Sequence, residues 1–380
     1  MTAEFRAIVG AVLLDLAVSP LFVWGSFSDR LSDDIDVPAG SLGLAYAVGL
    51  AAFTVGVLAG GRIADRIAPR PLTLLVACGV VAGLGLTSVA QAVAVVVIGF
   101  GVLLGLATGL GYATAVRVAA TVVGRRGSAL ALVVSAYAAG AVVLTPIVNM
   151  LWDRIGRTAT FAALAVVLGV LLVGASALLP GTDGSTDAPR PSTMQSSVRG
   201  HGRAIVGAWA MFALGSAPAL IAFGHAGGLA RSADLVVIAV VLLNAGNLAG
   251  RLLAGPIADR VGHVLTLHAT ALVLVLALLL VAVFAHPAAT LAGLLVLGTQ
   301  YGAVSVLVPL VVADAVPSER FGTAYGLVFS GWGVAGLLGP LAAGWIGTSV
   351  GYPTVATALV GIGLAFWVAV WATTTDRAVG

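Results

Sequence analysis

Twelve apolar runs of roughly 20 residues follow one another along this chain, and they restrict its fold more than any other feature. An α-helix rises 1.5 Å per residue, so about 20 apolar residues cross the hydrocarbon core of a bilayer. The strands of a membrane β-barrel would alternate apolar and polar residues, and these runs do not. Only 9% of the chain is charged, whereas charged residues are about a quarter of a soluble protein. The sequence therefore predicts an all-α membrane protein. The predicted spans are residues 7–27, 41–60, 71–91, 93–116, 128–149, 159–180, 204–226, 235–255, 264–285, 288–312, 323–347 and 354–372.

Two sequence echoes indicate that the chain contains two copies of one unit. Residues 56–66, GVLAGGRIADR, match residues 250–260, GRLLAGPIADR, at an offset of 194 residues. Residues 126–137, RGSALALVVSAY, match residues 321–332, FGTAYGLVFSGW, at an offset of 195 residues. Since the offset is about half the chain length, the pattern predicts an internal duplication.

The duplication divides the twelve predicted spans into two pseudo-symmetric six-helix bundles. The predicted bundles are residues 1–180 and 204–380, and the stretch between them, 181–203, is rich in Gly, Pro, Ser and Thr. Such a composition is typical of a flexible linker. Because six spans are an even number, both bundles would have the same orientation in the membrane, as parallel repeats do.

The charges predict the orientation of the chain. All 18 basic residues are arginine, and a cytoplasmic N-terminus would place twelve of them in inner loops and tails and four in outer loops. Inner loops of membrane proteins are enriched in basic residues. We therefore expect cytoplasmic termini and a cytoplasmic linker. The absence of lysine, together with a high content of Ala, Gly, Val and Arg, is typical of a GC-rich bacterial genome, so we expect the cytoplasmic membrane of a bacterium. The net charge of +3 then indicates contact with anionic lipid headgroups, and it gives no reason to expect nucleic acid.

The repeated G-x-x-x-D-R segments follow spans 2 and 8, on the predicted cytoplasmic side. The glycine would let helices approach, and the aspartate could cap a helix N-terminus or pair with an arginine. Either contact would form a latch that must break when two bundles rock against each other. The predicted latch residues are Gly61, Asp65, Arg66, Gly255, Asp259 and Arg260.

Span 8 carries a polar stripe that span 2 lacks. Asn244, Asn247 and Arg251 are spaced i, i+3 and i+7, on one helical face, whereas Val57 occupies the place of Arg251 in the first copy. A charge inside a bilayer costs about 2.5–3.5 kcal/mol on insertion scales, so this arginine is a candidate for a functional site. The alternative is that Arg251 reaches the cytoplasmic surface or pairs with a carboxylate in a loop.

These features together resemble the major facilitator superfamily, which implies twelve helices and transport by alternating access. The stretches QYGAVSVLVPLVVAD at 300–314 and FGTAYGLVFSGWGVAGLLGP at 321–340 resemble its oxalate/formate antiporter and monocarboxylate transporter branch. The resemblance implies that Arg251 holds the carboxylate of the substrate. Asn247 stands where the monocarboxylate transporters have an acid, and Trp332 stands where oxalate transport is associated with a lysine. One fixed cation favours a monocarboxylate over a dicarboxylate.

Two other ionisable residues lie in the predicted spans. Asp15, in span 1, could carry a proton, because desolvation raises the pKa of a carboxyl group, or it could be the permanent partner of an arginine. Arg117, near the inner end of span 4, could contact the substrate or could extend to the helix end. Its expected repeat partner is Val312.

Aromatic and amide side chains could complete a binding site. Tyr325, Phe329 and Trp332 form a stripe on span 11, and Tyr137 is the repeat partner of Trp332. They could pack the core, or they could close over a small substrate and exclude water. Two neighbouring residues of span 10 could add hydrogen bonds to the substrate: Gln300 and Tyr301.

No nucleophile elbow, phosphate loop or dinucleotide motif occurs in the sequence, and no cluster has metal-ligand spacing. We therefore expect neither an enzyme nor a cofactor. The sequence favours a monomeric secondary transporter of a small organic anion, coupled to protons or to a counter-transported solute. One alternative is a proton-coupled exporter of amphipathic compounds or drugs, with Asp15 as the coupling acid. Another is a membrane sensor that does not transport.

Overall fold

The computed structural model describes residues 2–26, 28–181, 201–225, 229, 235–284 and 286–375. Within these residues, eleven helical stretches are long and apolar enough to cross a membrane. One stretch, Arg126–Leu178, has 53 residues and contains a break at Gly156, where φ is 74° and ψ is 177°. It therefore comprises two helices, and the prediction of an all-α membrane protein is confirmed. The long helices are α1 (Ala3–Ala17), α2 (Gly43–Ala64), α3 (Pro69–Ser88), α4 (Val93–Ala120), α5 (126–155), α6 (157–178), α7 (Gly202–Gly224), α8 (Val236–Val261), α9 (His263–Val283), α10 (Pro287–Ala315), α11 (Phe321–Ser349) and α12 (Tyr352–Thr375). A short helix, Ser28–Asp34, lies between α1 and α2.

The chain divides into two compact units, and each unit includes a short segment from the other half of the sequence. Unit 1 comprises Met1–Val122, Val133–Thr193 and Ser318–Gly326. Unit 2 comprises Val123–Leu132, Met194–Pro317 and Leu327–Gly380. The beginning of α5 therefore belongs to unit 2 and the beginning of α11 to unit 1. Most of the predicted linker lies outside the described residues.

Three predicted boundaries are wrong in detail. The first span is not one helix, because α1 ends at Ala17 and Pro20–Ser26 form a 3₁₀ helix. Pro20 lacks the N–H that an α-helix would need there. The inner loops are shorter than predicted, since α2 continues to Ala64 and α8 to Val261. The aspartates of the repeated motif therefore lie at helix ends, with fixed directions.

Glycines bring α2 against α4 in unit 1 and α8 against α10 in unit 2. A Cβ atom on Gly105 would lie 2.7 Å from the carbonyl oxygen of Gly49, so only glycine fits there. Gly298 faces the carbonyl oxygen of Leu243 in the same way. Close packing through small residues is a common way for membrane helices to associate. In unit 2 it fixes the face of α10 that lies beside Arg251.

A one-residue insertion distinguishes α4 from α10. Gly99 faces the carbonyl of Gly83 as Gly293 faces that of Ala277, and these two glycines are 194 residues apart. The pair Gly105 and Gly298, further along the same helices, is only 193 residues apart. The extra residue is accommodated by a π-helical segment, Val97–Leu104. Single-residue insertions into α-helices are commonly absorbed as π-bulges.

The extra residue in α4 changes one assignment of equivalent residues between the two copies of the repeat. At an offset of 193 residues the partner of Arg117 is Leu310, not the expected Val312. Both are apolar, so Arg117 still differs from its counterpart in the second copy.

Candidate functional site

The polar stripe of α8 lies in unit 2 and is largely buried. Arg251 and Asn247 are 9% and 7% exposed, and Arg251 Nε donates a hydrogen bond of 3.0 Å to Asn247 Oδ1. The spacing of four residues places the two side chains one turn apart on one face. Asn244 is exposed, and its amide nitrogen donates to the carbonyl of Val240 at 2.9 Å. The structure thus brings together Arg251 and Asn247, whereas Asn244 bonds to its own helix.

Two aromatic residues extend the arrangement around Arg251. The Tyr301 hydroxyl of α10 forms a hydrogen bond with the Arg251 side chain. Trp332 Nε1 of α11 donates to the same hydroxyl at 2.9 Å. Tyr301 and Trp332 are 5% and 6% exposed, and the Phe329 ring lies 5.1 Å from the Trp332 ring. Asn247 and Tyr301 are neutral, so these two contacts orient the guanidinium without supplying a charge of their own.

Gln300 precedes Tyr301 but contacts a different helix. Its Nε2 donates to the Gly215 carbonyl of α7 at 3.2 Å, and its side chain is 1% exposed. Neighbouring residues of a helix point in directions about 100° apart, which separates Gln300 from Tyr301. The two residues predicted together therefore have different surroundings.

Tyr137 belongs to an aromatic cluster within unit 1. Its ring lies 5.3 Å from Phe22, 5.9 Å from Phe53 and 5.7 Å from Tyr112. Tyr325 lies at the beginning of α11, the part that belongs to unit 1, and its hydroxyl donates to the Tyr112 hydroxyl at 3.4 Å. The predicted stripe on α11 is therefore divided, because Phe329 and Trp332 belong to unit 2.

Sequence reasoning missed Phe53 and Tyr112, which supply two of the rings around Tyr137. A signal was present in the glycine stripe of α4, since Tyr112 is one turn beyond Gly109. Gly109 packs directly on the Phe53 carbonyl. Tyr112 of α4 and Phe53 of α2 are therefore held by the close contact between these two helices.

Asp15 is fully buried within unit 1, at 0% exposure. It lies on α1 one turn before Ser19, which is also 0% exposed and whose hydroxyl donates to the Leu16 carbonyl at 2.8 Å. Burial disfavours the charged form of a carboxylate. The geometry is therefore compatible with both expected roles of Asp15, the proton carrier and the structural acid.

The two aspartates of the repeated motif each cap a helix N-terminus. In unit 1, Asp65 accepts hydrogen bonds from the backbone N–H groups of Gly322 and Thr323 at 2.9 and 2.7 Å, and from the Thr323 hydroxyl at 2.7 Å. In unit 2, Asp259 accepts from the N–H groups of Gly127 and Ser128, both at 2.8 Å, and from the Ser128 hydroxyl at 2.5 Å. A carboxylate there satisfies free N–H groups and interacts favourably with the helix dipole. The capped helices are α11 and α5.

Glycines permit both caps. A Cβ atom on Gly61 would collide with the Gly322 carbonyl, and one on Gly255 would collide with the Gly127 carbonyl. Glycine at these positions is therefore required for the helix ends to approach. The arginines that complete the motif, Arg66 and Arg260, are exposed.

The ion pairs beside the caps differ between the units. In unit 1, Arg117 Nε lies 3.3 Å from Asp65 Oδ1, which places Arg117 at the cap. In unit 2, Asp314 lies 2.6 Å from Arg126 and 3.2 Å from His263 Nδ1. Sequence reasoning missed Asp314, because its partners are distant in the chain.

The apolar helices, the internal repeat and the buried cation in one repeat define a multi-pass membrane protein of the transporter class. The family model of the Major Facilitator Superfamily matches residues 8–229 and 204–379, so the chain belongs to this superfamily. Its members are transporters, not enzymes.

Solved structures agree with this fold. The human organic anion transporter MFSD10 (TETRAN) is similar with a TM-score of 0.71 and 18% identity, over 97% of this chain and 100% of that one. The proton:xylose symporter XylE, bound to 6-bromo-6-deoxy-D-glucose, is similar with a TM-score of 0.73 and 15% identity, over 97% of this chain and 95% of that one. No curated protein matches the chain by sequence.

Proposed function

We propose that the protein is a secondary transporter of a small monocarboxylate, which binds at Arg251. The supporting observation is a buried guanidinium positioned by the neutral side chains of Asn247 and Tyr301. A planar guanidinium can bind a carboxylate through two parallel N–H donors. Since unit 2 supplies one such cation on α8, a singly charged substrate fits its charge better than a doubly charged one. The MFSD10 structure, described as an organic anion transporter, is compatible with an anionic substrate.

The proposal includes a mechanism and an orientation. Transport proceeds by alternating access between two six-helix bundles, 1–180 and 204–380, with both termini and the 181–203 linker in the cytoplasm of a bacterial cell. Asp65 and Asp259 act as the latch, because each cap must break if α11 or α5 moves away from it. Arg117 strengthens the cap at Asp65 and does not contact the substrate. Within unit 2, Trp332 supports the carboxylate site through the Tyr301 hydroxyl.

Uptake of labelled lactate, pyruvate, formate and oxalate into proteoliposomes tests the substrate class. We expect uptake or exchange of at least one monocarboxylate, and little transport of oxalate. Arg251→Gln should abolish the uptake or exchange of the monocarboxylate. Arg203→Gln, which removes an exposed arginine at the beginning of α7, should leave it unchanged. Absence of carboxylate transport, or full activity in Arg251→Gln, would exclude the proposal.

A second candidate, a proton-coupled exporter of amphipathic compounds, is favoured by the complete burial of Asp15. A carboxyl group that titrates near neutral pH could carry the coupled proton. The test is Asp15→Asn, with proton-driven transport and substrate exchange measured separately. Loss of proton-driven transport with retained substrate exchange would support coupling through Asp15. If the pH dependence of transport is the same in Asp15→Asn as in the unmodified protein, coupling through Asp15 is excluded.

A further inference from the structure

The hydroxyl group of Tyr301 receives two hydrogen bonds within unit 2. Trp332 Nε1 donates to its oxygen at 2.9 Å, and the Arg251 side chain forms a second hydrogen bond with it. An indole N–H and a guanidinium can only donate, so the phenolic oxygen accepts in both bonds. The two bonds therefore occupy the lone pairs of this oxygen, and its own proton is left to donate.

The phenolic proton of Tyr301 needs a third partner. In the part of the chain that the structure describes, no group accepts it. Tyr301 is 5% exposed, and a buried tyrosine hydroxyl usually has a partner for its proton. A donor without an acceptor is costly, especially inside a membrane. A ligand that accepts a hydrogen bond would remove this cost.

The contact with Arg251 indicates which ligand group is within reach. Acceptors that bind to one guanidinium lie within a few ångströms of each other, because each charge-assisted N–H···O bond is only about 2.7–2.9 Å long. A carboxylate bound to Arg251 would therefore lie beside the Tyr301 hydroxyl. An ionised carboxylate has about four lone-pair sites, and a bidentate arginine uses two of them. The remaining sites can accept the phenolic proton.

The first copy of the repeat shows that helix packing does not require a tyrosine at this place. Gly298 and Gly105 occupy equivalent positions 193 residues apart, so Tyr301 corresponds to Thr108. The Thr108 hydroxyl is fully buried and donates to the Gly105 carbonyl of its own helix at 3.0 Å. The proton of Thr108 is therefore used within α4. Tyr301 instead extends from α10 to side chains of α8 and α11, both of which donate to it.

We propose that Tyr301 donates its phenolic proton to the carboxylate that Arg251 binds, so that Tyr301 is a direct ligand of the substrate as well as a support for the arginine. The inference rests on the proposed carboxylate site at Arg251. Because Arg251 and Tyr301 both present donors, the site selects a group that only accepts. It binds an ionised carboxylate and rejects the corresponding amide, whose nitrogen carries two further donors.

Propionate and pyruvate are the probes, because they have similar sizes and share the carboxylate, whereas only pyruvate has a 2-oxo group. The measurement is the Kd of each for the full-length protein in lipid nanodiscs, by isothermal titration calorimetry. Tyr301→Phe should weaken the binding of both at least tenfold, as expected for the loss of a hydrogen bond to a charged group. Tyr352→Phe removes a hydroxyl of the same unit that bonds to His225, and it should leave both Kd values within about twofold.

The outcomes distinguish this inference from the proposed function. If the protein binds neither probe, or if Arg251→Gln binds them equally well, the carboxylate site at Arg251 fails and the inference fails with it. Binding that depends on Arg251 and not on Tyr301 overturns the inference alone. Binding of pyruvate alone, or a dependence on Tyr301 for pyruvate alone, would assign the phenolic proton to the 2-oxo group and would also overturn it.

A double-mutant cycle separates donation to the substrate from support of the arginine. Arg251→Lys keeps a positive charge and removes the planar guanidinium that Tyr301 orients. If Tyr301 donates to the carboxylate, Tyr301→Phe should still weaken propionate binding about tenfold in the Arg251→Lys protein. If Tyr301 only orients Arg251, the second substitution should have no further effect, and the inference is overturned.

Ultraviolet resonance Raman spectroscopy tests the same hydrogen bond in the unmodified protein, since the tyrosine bands report whether a phenol donates. We expect bound propionate to convert one tyrosine to a hydrogen-bond donor, and this change to be absent in Tyr301→Phe and present in Tyr352→Phe. Tyr301→Phe retains the ring, which lies 6.2 Å from the Phe223 ring, so the variant should fold, as size-exclusion chromatography will show. Propionate binding without a change in any tyrosine band would contradict the inference.

Discussion

Arg251 is the residue on which the proposed function depends, and its surroundings explain how its guanidinium is oriented. Asn247 and Tyr301 hold the guanidinium through neutral groups, and Trp332 in turn holds the Tyr301 hydroxyl. An arginine fixed in this way loses little conformational entropy when a carboxylate binds. The amide at position 247 therefore orients the arginine without supplying a charge of its own.

Asn247→Asp should impair transport by providing Arg251 with an internal anion. A carboxylate charge about 4 Å from the guanidinium charge would attract it by about 4 kcal/mol at an effective dielectric constant of about 20. We expect the KM for the carboxylate substrate to rise at least tenfold at pH 7, in uptake assays with proteoliposomes.

Asn149→Asp is the matched control for that change. Asn149 of α5 also bonds to its own helix, donating to the Thr145 carbonyl at 3.0 Å, and lies in unit 1. Its substitution should leave the KM within about twofold. Equal effects of the two substitutions would argue against direct competition at Arg251.

The sequence predicted part of this residue-scale arrangement. Arg251 and Asn247 could be paired because a spacing of four residues fixes neighbours within one helix. The direction of Gln300 could not be predicted, since α10 is almost wholly buried and its sequence has no polar face to indicate a rotation. The cluster of Tyr137 with Phe53 and Tyr112 depends on contacts between helices, which a helical pattern does not contain.

At the scale of helices, the two aspartate caps show how one motif can fix two different helix ends. Asp65 and Asp259 use the same atoms towards the same backbone positions of α11 and α5. Among the residues that the structure describes, only Asp65 of the two also pairs with an arginine, Arg117. The sequence allowed a cap or an ion pair, and in unit 1 the structure contains both.

Asp65→Asn and Asp259→Asn should both lower thermal stability, and Asp65→Asn should lower it more. Loss of a charged cap costs about 0.5–2 kcal/mol. Asp65 is 8% exposed and would also leave Arg117 without this partner. The measurement is the Tm in detergent by intrinsic fluorescence.

Asp153→Asn provides the control for these caps, because Asp153 pairs with Arg30 at 65% exposure. Exposed ion pairs contribute little, so its Tm should hardly change. A larger loss of stability in Asp259→Asn than in Asp65→Asn would show that the Arg117 pair does not strengthen the cap.

The π-helical segment of α4 gives a second prediction at this scale. Deleting Val102 should convert the segment to an α-helix and keep the glycine contacts at both ends, because α10 has the same contacts with one residue fewer. Deleting Val296, its counterpart in α10, should rotate Gly298 by about 100° and disrupt the packing on α8.

Size-exclusion profiles and Tm values distinguish the two deletions. We expect a folded protein after deletion of Val102 and an aggregated or strongly destabilised one after deletion of Val296. Equal damage from both would show that the π segment is not an insertion into an otherwise equivalent helix.

At the scale of the whole molecule, the duplication accounts for the fold, and the departures from it account for the proposed chemistry. Arg251 has the aliphatic counterpart Val57, so the buried cation of unit 2 is absent from the matching position of unit 1. The sequence predicted the helices and the repeat because apolar length and periodicity determine them. It did not predict that the beginnings of α5 and α11 would each belong to the other unit, since this depends on packing between distant segments.

The most direct test of the carboxylate site is isothermal titration calorimetry on the purified protein, with the most strongly transported of lactate, pyruvate and formate and with its methyl ester. The ester keeps the shape of the substrate and removes its charge. We predict that Arg251→Gln weakens binding of the carboxylate at least a hundredfold, as expected for the loss of a charge-assisted pair worth about 3 kcal/mol, and leaves the weak binding of the ester unchanged. Equal affinity of the unmodified protein and Arg251→Gln for the carboxylate would contradict the assignment of Arg251 as the substrate's partner.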